Sequence, residues 1–129
     1  EGTWINVVKE CVGYSQVEAT IAAYDTTSEA FDALPSIPPN LGIEGCEVFL
    51  VSYQSGVVRR LPSQSQIMQL ASYRGQEWQV KPKSFARRTR DCFTRPGSVQ
   101  LVNSNKAQLR EDAEKIRNLE EMHKIIDFE

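Results

Sequence analysis

The chain has 129 residues, 40% hydrophobic and 25% charged, with three cysteines, one histidine and a formal net charge of −2. That length supports one domain with its own core, and the balance is that of an ordinary globular chain, which sets aside disordered and fibrous classes. No apolar run reaches the ~18 residues of a membrane span, and neither a basic head nor an apolar leader opens the chain, so an intracellular location in cytoplasm or nucleus is expected.

Cys11, Cys46 and Cys92 are too few and too far apart for a disulfide framework or a thiolate metal site, and no cofactor is expected. The small net charge hides a division. Residues 1–56 carry eight acids against the single base Lys9, whereas residues 57–95 carry nine bases against Glu77 and Asp91. Such segregation favours docking within the chain, self-association or an anionic partner.

In chain order, residues 4–8 alternate as a strand, residues 11–15 form a second extended segment, and residues 17–25 read as a third strand with helix as the rival. Ser28 caps a helical turn reaching Leu34, and Pro35, Pro38 and Pro39 stop it within a long loop over 26–45. Residues 47–61 predict a β-hairpin: Val48 to Val51 are β-branched, aliphatic or aromatic, Gln54-Ser55-Gly56 breaks the run, and Val57-Val58 resumes it. Residues 67–73 form a short apolar element read as a strand. A basic helix is expected over about 83–93, with Phe85, Thr89, Cys92 and Phe93 on one stripe. Pro96 and Gly97 end it, and 98–102 is a strand. Asn103 to Asn105 then offer N-caps for an amphipathic helix over 106–128. The expected architecture is α+β: a small bent antiparallel β-barrel over 1–102, followed by a C-terminal helix over 103–129.

Cys11-Val12-Gly13-Tyr14-Ser15, Ala19-Thr20-Ile21-Ala22 with Asp25, and Val48 to Tyr53 with Gln54 and Ser55 together resemble the Tudor family over residues 11–61. The resemblance implies an SH3-type barrel of five strands whose rim cages a methylated arginine or lysine between ring faces, which attract poorly hydrated cations. It places the ligand at Tyr14, Phe49, Tyr53 and Gln54. The family's second-strand aromatic and its Gly-Asn corner are missing, so a degenerate cage or an unmodified peptide partner is also implied.

No phosphate-binding glycine loop, nucleophile elbow or metal-ligand spacing occurs, and His123 sits among Glu120, Glu121 and Lys124, so no enzyme is expected. The expected function is a non-catalytic interaction module or scaffold. One alternative is RNA binding through Arg59, Arg60, Arg87, Arg88 and Arg90, with Tyr73 and Trp78 as stacking surfaces. Another is homodimerisation through a stripe of Leu109, Ile116, Leu119, Met122 and Ile126.

Overall fold

A computed structural model describes residues 4–39 and 41–129. Three helices come first: α1 (Trp4–Val12), α2 (Gln16–Ala23) and the single turn α3 (Glu29–Asp32). Then follow β1 (Glu44–Phe49), β2 (Gly56–Arg60), α4 (Gln64–Met68), β3 (Tyr73–Trp78), β4 (Phe85–Ala86), β5 (Gly97–Asn103), α5 (Lys106–Glu121) and β6 (Asp127–Phe128). The strands make two three-stranded antiparallel sheets, in the orders β1-β5-β3 and β4-β2-β6.

The larger sheet is built around β5, whose Val99, Leu101 and Val102 are all but sealed from solvent. Register pairs Val48 with Val99 and Cys46 with Leu101, so alternation sends Val48, Leu50, Val99 and Leu101 to one face. Leu109 and Ile116 of α5 close that face, joined by Ile67, Ile125 and Ile126 and by Val58 and Ala86 from the second sheet. Each fully buried aliphatic side chain contributes about 1.5–3 kcal/mol of transfer free energy, so this cluster is the core of the molecule. On the opposite face α1 lies against Gly45, where a Cβ would stand 2.4 Å from Val7 Cγ1. Only a glycine lets the helix approach that closely.

Two buried carboxylates tie α5 to its surroundings. Asp112 Oδ2 accepts the Ser72 N–H at 2.9 Å, and Oδ1 accepts from Gln108 and Lys115. Burial opposes its charge, but the bonds from Ser72, Gln108 and Lys115 prevail and hold the carboxyl below its ordinary pKa. Glu120 accepts from the Val51 N–H and from Arg117, yet burial wins there and pushes the carboxyl up.

The expected barrel is not found: neither sheet closes on itself. Residues 4–8 and 17–23 are helical, Tyr24 caps α2, and 11–15 comprise the end of α1 and the link to α2. Trp4, Val7, Val8 and Cys11 stand at the helical spacing i, i+3, i+4, i+7, which their local alternation masked. Ser15 and Glu18 form a reciprocal capping box that starts α2. Two of the three segments that resemble the Tudor family are therefore helical or irregular.

The hairpin over 47–61 is also corrected. β1 pairs with β5, and β2 pairs with β4 and β6, because the buried β5 offers Val48 and Leu50 a more apolar partner than Val57 and Val58 do. Residues 67–73 are the end of α4, a turn and the start of β3. The basic helix over 83–93 is replaced by β4 and turns. Lys83 takes a positive φ of 71°, and Val58 captures the segment through Lys83 N–H to Val58 O and Val58 N–H to Ser84 O.

The strand at 98–102, the turn after Ser28 and the C-terminal helix are present. Asn105 Oδ1 caps α5 by accepting from Ala107 and Gln108 N–H, but the helix stops at Glu121, short of 128. His123 takes φ 55° and donates to Glu120 O, while Lys124 donates to Leu119 O, a Schellman closure that turns Ile125 and Ile126 into the core. Helix α5 is thus an integral layer of the domain. Residues 1–3 and position 40 of the expected loop lie outside the described residues. Among the described residues no helix is long and apolar enough to cross a membrane.

Candidate functional site

The second sheet carries the chain's most concentrated exposed charge. In β2, Val58 points inward with no exposure while Val57 and Arg59 point out; in β4, Ala86 points inward and Phe85 points out with 63% of its surface exposed. Antiparallel pairing sets Val57 opposite Phe85 and Gly56 opposite Ala86. Gly56 admits this packing because a Cβ there would meet the Phe128 ring at 2.9 Å.

The segment from 81 to 90 is laced to the segment from 52 to 58 beyond the short ladder. Arg88 N–H donates to Ser55 Oγ at 2.7 Å, Thr89 N–H to Ser52 O at 2.8 Å, and Ser52 N–H to Thr89 Oγ1 at 2.9 Å. Asp91 Oδ1 closes the next turn by accepting from Phe93 and Thr94, and these bonds, the Thr94 hydroxyl first, keep its carboxyl below the ordinary range.

Arg59 is thereby brought beside the segment that carries Lys81, Lys83, Arg87, Arg88 and Arg90. Arg59, Lys81, Lys83, Arg87, Arg88 and Arg90 are all exposed, and among the described residues none has a carboxylate within 4 Å. Arg60, expected in the same set, is instead committed to Asp127, with Nε 2.8 Å from Oδ2. The expected stacking rings lie elsewhere: Tyr73 and Trp78 pack against the core, and Trp78 Nε1 donates to Gln76. Phe85 takes that place. Its signal was the Ser-Phe-Ala-Arg alternation after Pro82, which the helical stripe of the same residues obscured.

The expected rim residues Tyr14, Phe49, Tyr53 and Gln54 lie on two separate stretches of the chain. Tyr14 lies between α1 and α2, whereas Phe49 ends β1. One face of the Phe49 ring is taken by the chain's own Arg95, whose guanidinium carbon sits 4.1 Å from the ring centre. Tyr53 meets His123 edge to face at 5.9 Å, and Gln54 supplies a carbonyl to Ser52 Oγ. Among the described residues, no two of the three expected cage rings stack.

The expected oligomerisation stripe is largely consumed inside the molecule, because Leu109, Ile116 and Ile126 are buried in the core. Leu119 and Met122 remain beside a shallow groove of about 380 Å³ between α4 and α5. A second apolar groove, about 470 Å³, runs beside β1 between α1 and α5 and is lined by Trp4, Val7, Cys11, Ile43, Leu109 and Ala113. Burial raises the pKa of both Cys11 and Cys46, so neither is an activated thiolate. Among the described residues no group of three or more metal-ligating side chains gathers.

No protein-family model, no curated protein and no solved structure matches this chain.

Proposed function

We propose that this chain is a non-catalytic binding module that takes nucleic acid on the outward face of β2 and β4. The observation that carries it is the exposed Phe85–Val57 pair, set on a hydrogen-bonded scaffold among cations that, among the described residues, have no carboxylate within 4 Å. A cation that only balanced the acidic N-terminal half would be drawn into ion pairs, as Arg74 is with Glu10 and Lys106 with Glu44. Those at 59, 81, 83, 87, 88 and 90 are left to solvent, where displacement of counterions from a phosphate backbone supplies the free energy of binding. Peptide recognition at Tyr14, Phe49 and Tyr53 has less support, since Arg95 already covers a face of Phe49.

The test is binding of a fluorescent RNA oligonucleotide across a salt series. With three or four phosphates neutralised, the logarithm of affinity falls against the logarithm of salt with a slope of about −2 to −3. Reversing charge with Arg59→Glu and Arg87→Glu lowers affinity at least ~10-fold, equivalent to about 1.4 kcal/mol. Absence of binding at 20–50 mM salt (roughly the low-salt regime in which phosphate contacts are strongest), or unchanged affinity in the double variant, overturns the proposal.

A further inference from the structure

We infer that the form of nucleic acid this face accepts is an unpaired strand, with one base stacked on Phe85; the inference rests on the nucleic-acid reading above. A surface built for phosphates alone needs only cations, and a large exposed ring in its middle would be a hydrophobic liability. Here the ring is held on a strand: Ala86 beside it is buried, Val58 donates to Ser84 O, and Lys83 donates to Val58 O. Its exposure is therefore a fixed feature of the sheet.

Antiparallel register sets the order of groups along this face. Val57 stands opposite Phe85, so the two make one apolar spot, their Cβ atoms about 5 Å apart. Arg59 lies two residues beyond Val57 along β2, at the register shift in its pairing with β6, and Arg87 directly follows Ala86, the last residue of β4. Because the strands run in opposite directions, these steps lead to opposite ends of the spot. The two cations therefore lie to either side of it, and the chain past β4 keeps its direction beside the segment before β2, through Arg88 N–H to Ser55 Oγ. A chain following the strand axis meets cation, apolar platform, cation.

An unpaired polynucleotide presents that sequence of groups, with charged phosphates on either side of a base whose flat face is free. A duplex does not, because its base faces are stacked inside and only edges, sugars and phosphates reach a protein surface. One acidic group borders the platform. Glu129 donates its N–H to Val57 O from the far side of β2, which brings an exposed carboxylate to that edge. It opposes phosphate and limits affinity.

The experiment compares a single-stranded RNA decamer with a duplex of the same length at one ionic strength, by anisotropy. The single strand binds more tightly to the unaltered protein. Phe85→Ala weakens the single strand between about five- and one-hundredfold while changing duplex binding less than about twofold, whereas Phe85→Trp restores single-strand affinity. Glu129→Gln strengthens both forms modestly. Equal or tighter duplex binding, or an equal effect of Phe85→Ala on both forms, overturns the inference. If Arg59→Glu with Arg87→Glu abolishes binding and Phe85→Ala changes nothing, the cationic reading survives and the stacking one falls. If neither form binds at low salt, or if the face captures only an acidic polypeptide, both fall together.

Discussion

The two sheets differ in size and in what they do with their surface, with strands of six or seven residues in one and of two to five in the other. In the β1-β5-β3 sheet the central strand is buried along six of its seven residues, covered on one face by α5 and approached on the other by α1. In the β4-β2-β6 sheet the central strand buries Val58 alone and leaves Val57, Arg59 and Arg60 outward. The first sheet sets Val48, Val99 and Leu101 into the core and so holds the fold. The second contributes Val58 and Ala86 to the common core, with Phe128 packed against it, and leaves Val57, Phe85, Arg59 and Arg60 to solvent. Burial is thus concentrated in the first sheet and exposed charge on and beside the second.

The largest effect belongs to the buried sheet. Ile116→Ala empties a fully buried site against Val99 and Leu101 and destabilises by about 3–4 kcal/mol in chemical denaturation. Below the unfolding transition its nucleic-acid affinity stays within about twofold of the parent, because no core residue of α5 lines the cationic face. Gly97→Ala comes next, at about 2–3 kcal/mol. Its Cβ would fall 2.2 Å from the Glu77 carbonyl oxygen, so β5 and β3 must separate to admit it. A measured loss under about 0.5 kcal/mol would show that the pairing of β3 is looser than the geometry indicates.

The carboxylates of α5 sharpen the comparison through pH. Asp112→Ala leaves the Ser72 N–H without its acceptor and costs about 2–3 kcal/mol at neutral pH. Because the folded Asp112 titrates below its ordinary value, its contribution is present above pH ~4 and is lost as pH falls toward the folded value. Glu120 has the opposite sign. Its folded value lies above the ordinary 4.5, so this group favours unfolding as pH rises through that window and favours folding as pH falls. The stability difference between the parent and Glu120→Gln therefore moves in the parent's favour as pH is lowered from 7 toward 4.5, and a flat difference would remove the assignment.

The smallest stability effect belongs to the cationic face. Arg59→Ala changes unfolding free energy by no more than about 0.5 kcal/mol, since the side chain is exposed and, among the described residues, has no ion-pair partner within 4 Å. A loss above about 1 kcal/mol would mean that these cations hold the fold together.

Much of the buried sheet's helix was legible in advance. The apolar stripe through Leu109 and Ile116 and the cap at Asn105 both operate within a few residues, and both are as expected. The N-terminal helices were legible in principle, through the spacing of Trp4, Val7, Val8 and Cys11 and through Ser15 with Glu18. Short β-branched runs outweighed these signals because alternation and helical spacing coincide over four or five residues. The cationic site divides in the same way. Arg59, Arg87, Arg88 and Arg90 were named from composition, whereas the withdrawal of Arg60 to Asp127 and the exposure of Phe85 depend on pairings between segments far apart in the chain.

By itself the sequence determined the local elements with self-contained signals: the cap and stripe of α5, the capping box of α2, the apolar run of β5 and the concentration of positive charge between residues 57 and 95. Tertiary structure decided which strands pair, that β1 joins β5 while β2 joins β4 and β6, and hence which side of the basic segment meets solvent. The reason is one of range. Capping and amphipathic spacing act over three or four residues, but strand pairing is a competition for the most apolar partner across the whole chain, and its outcome is set by the burial of all strands together.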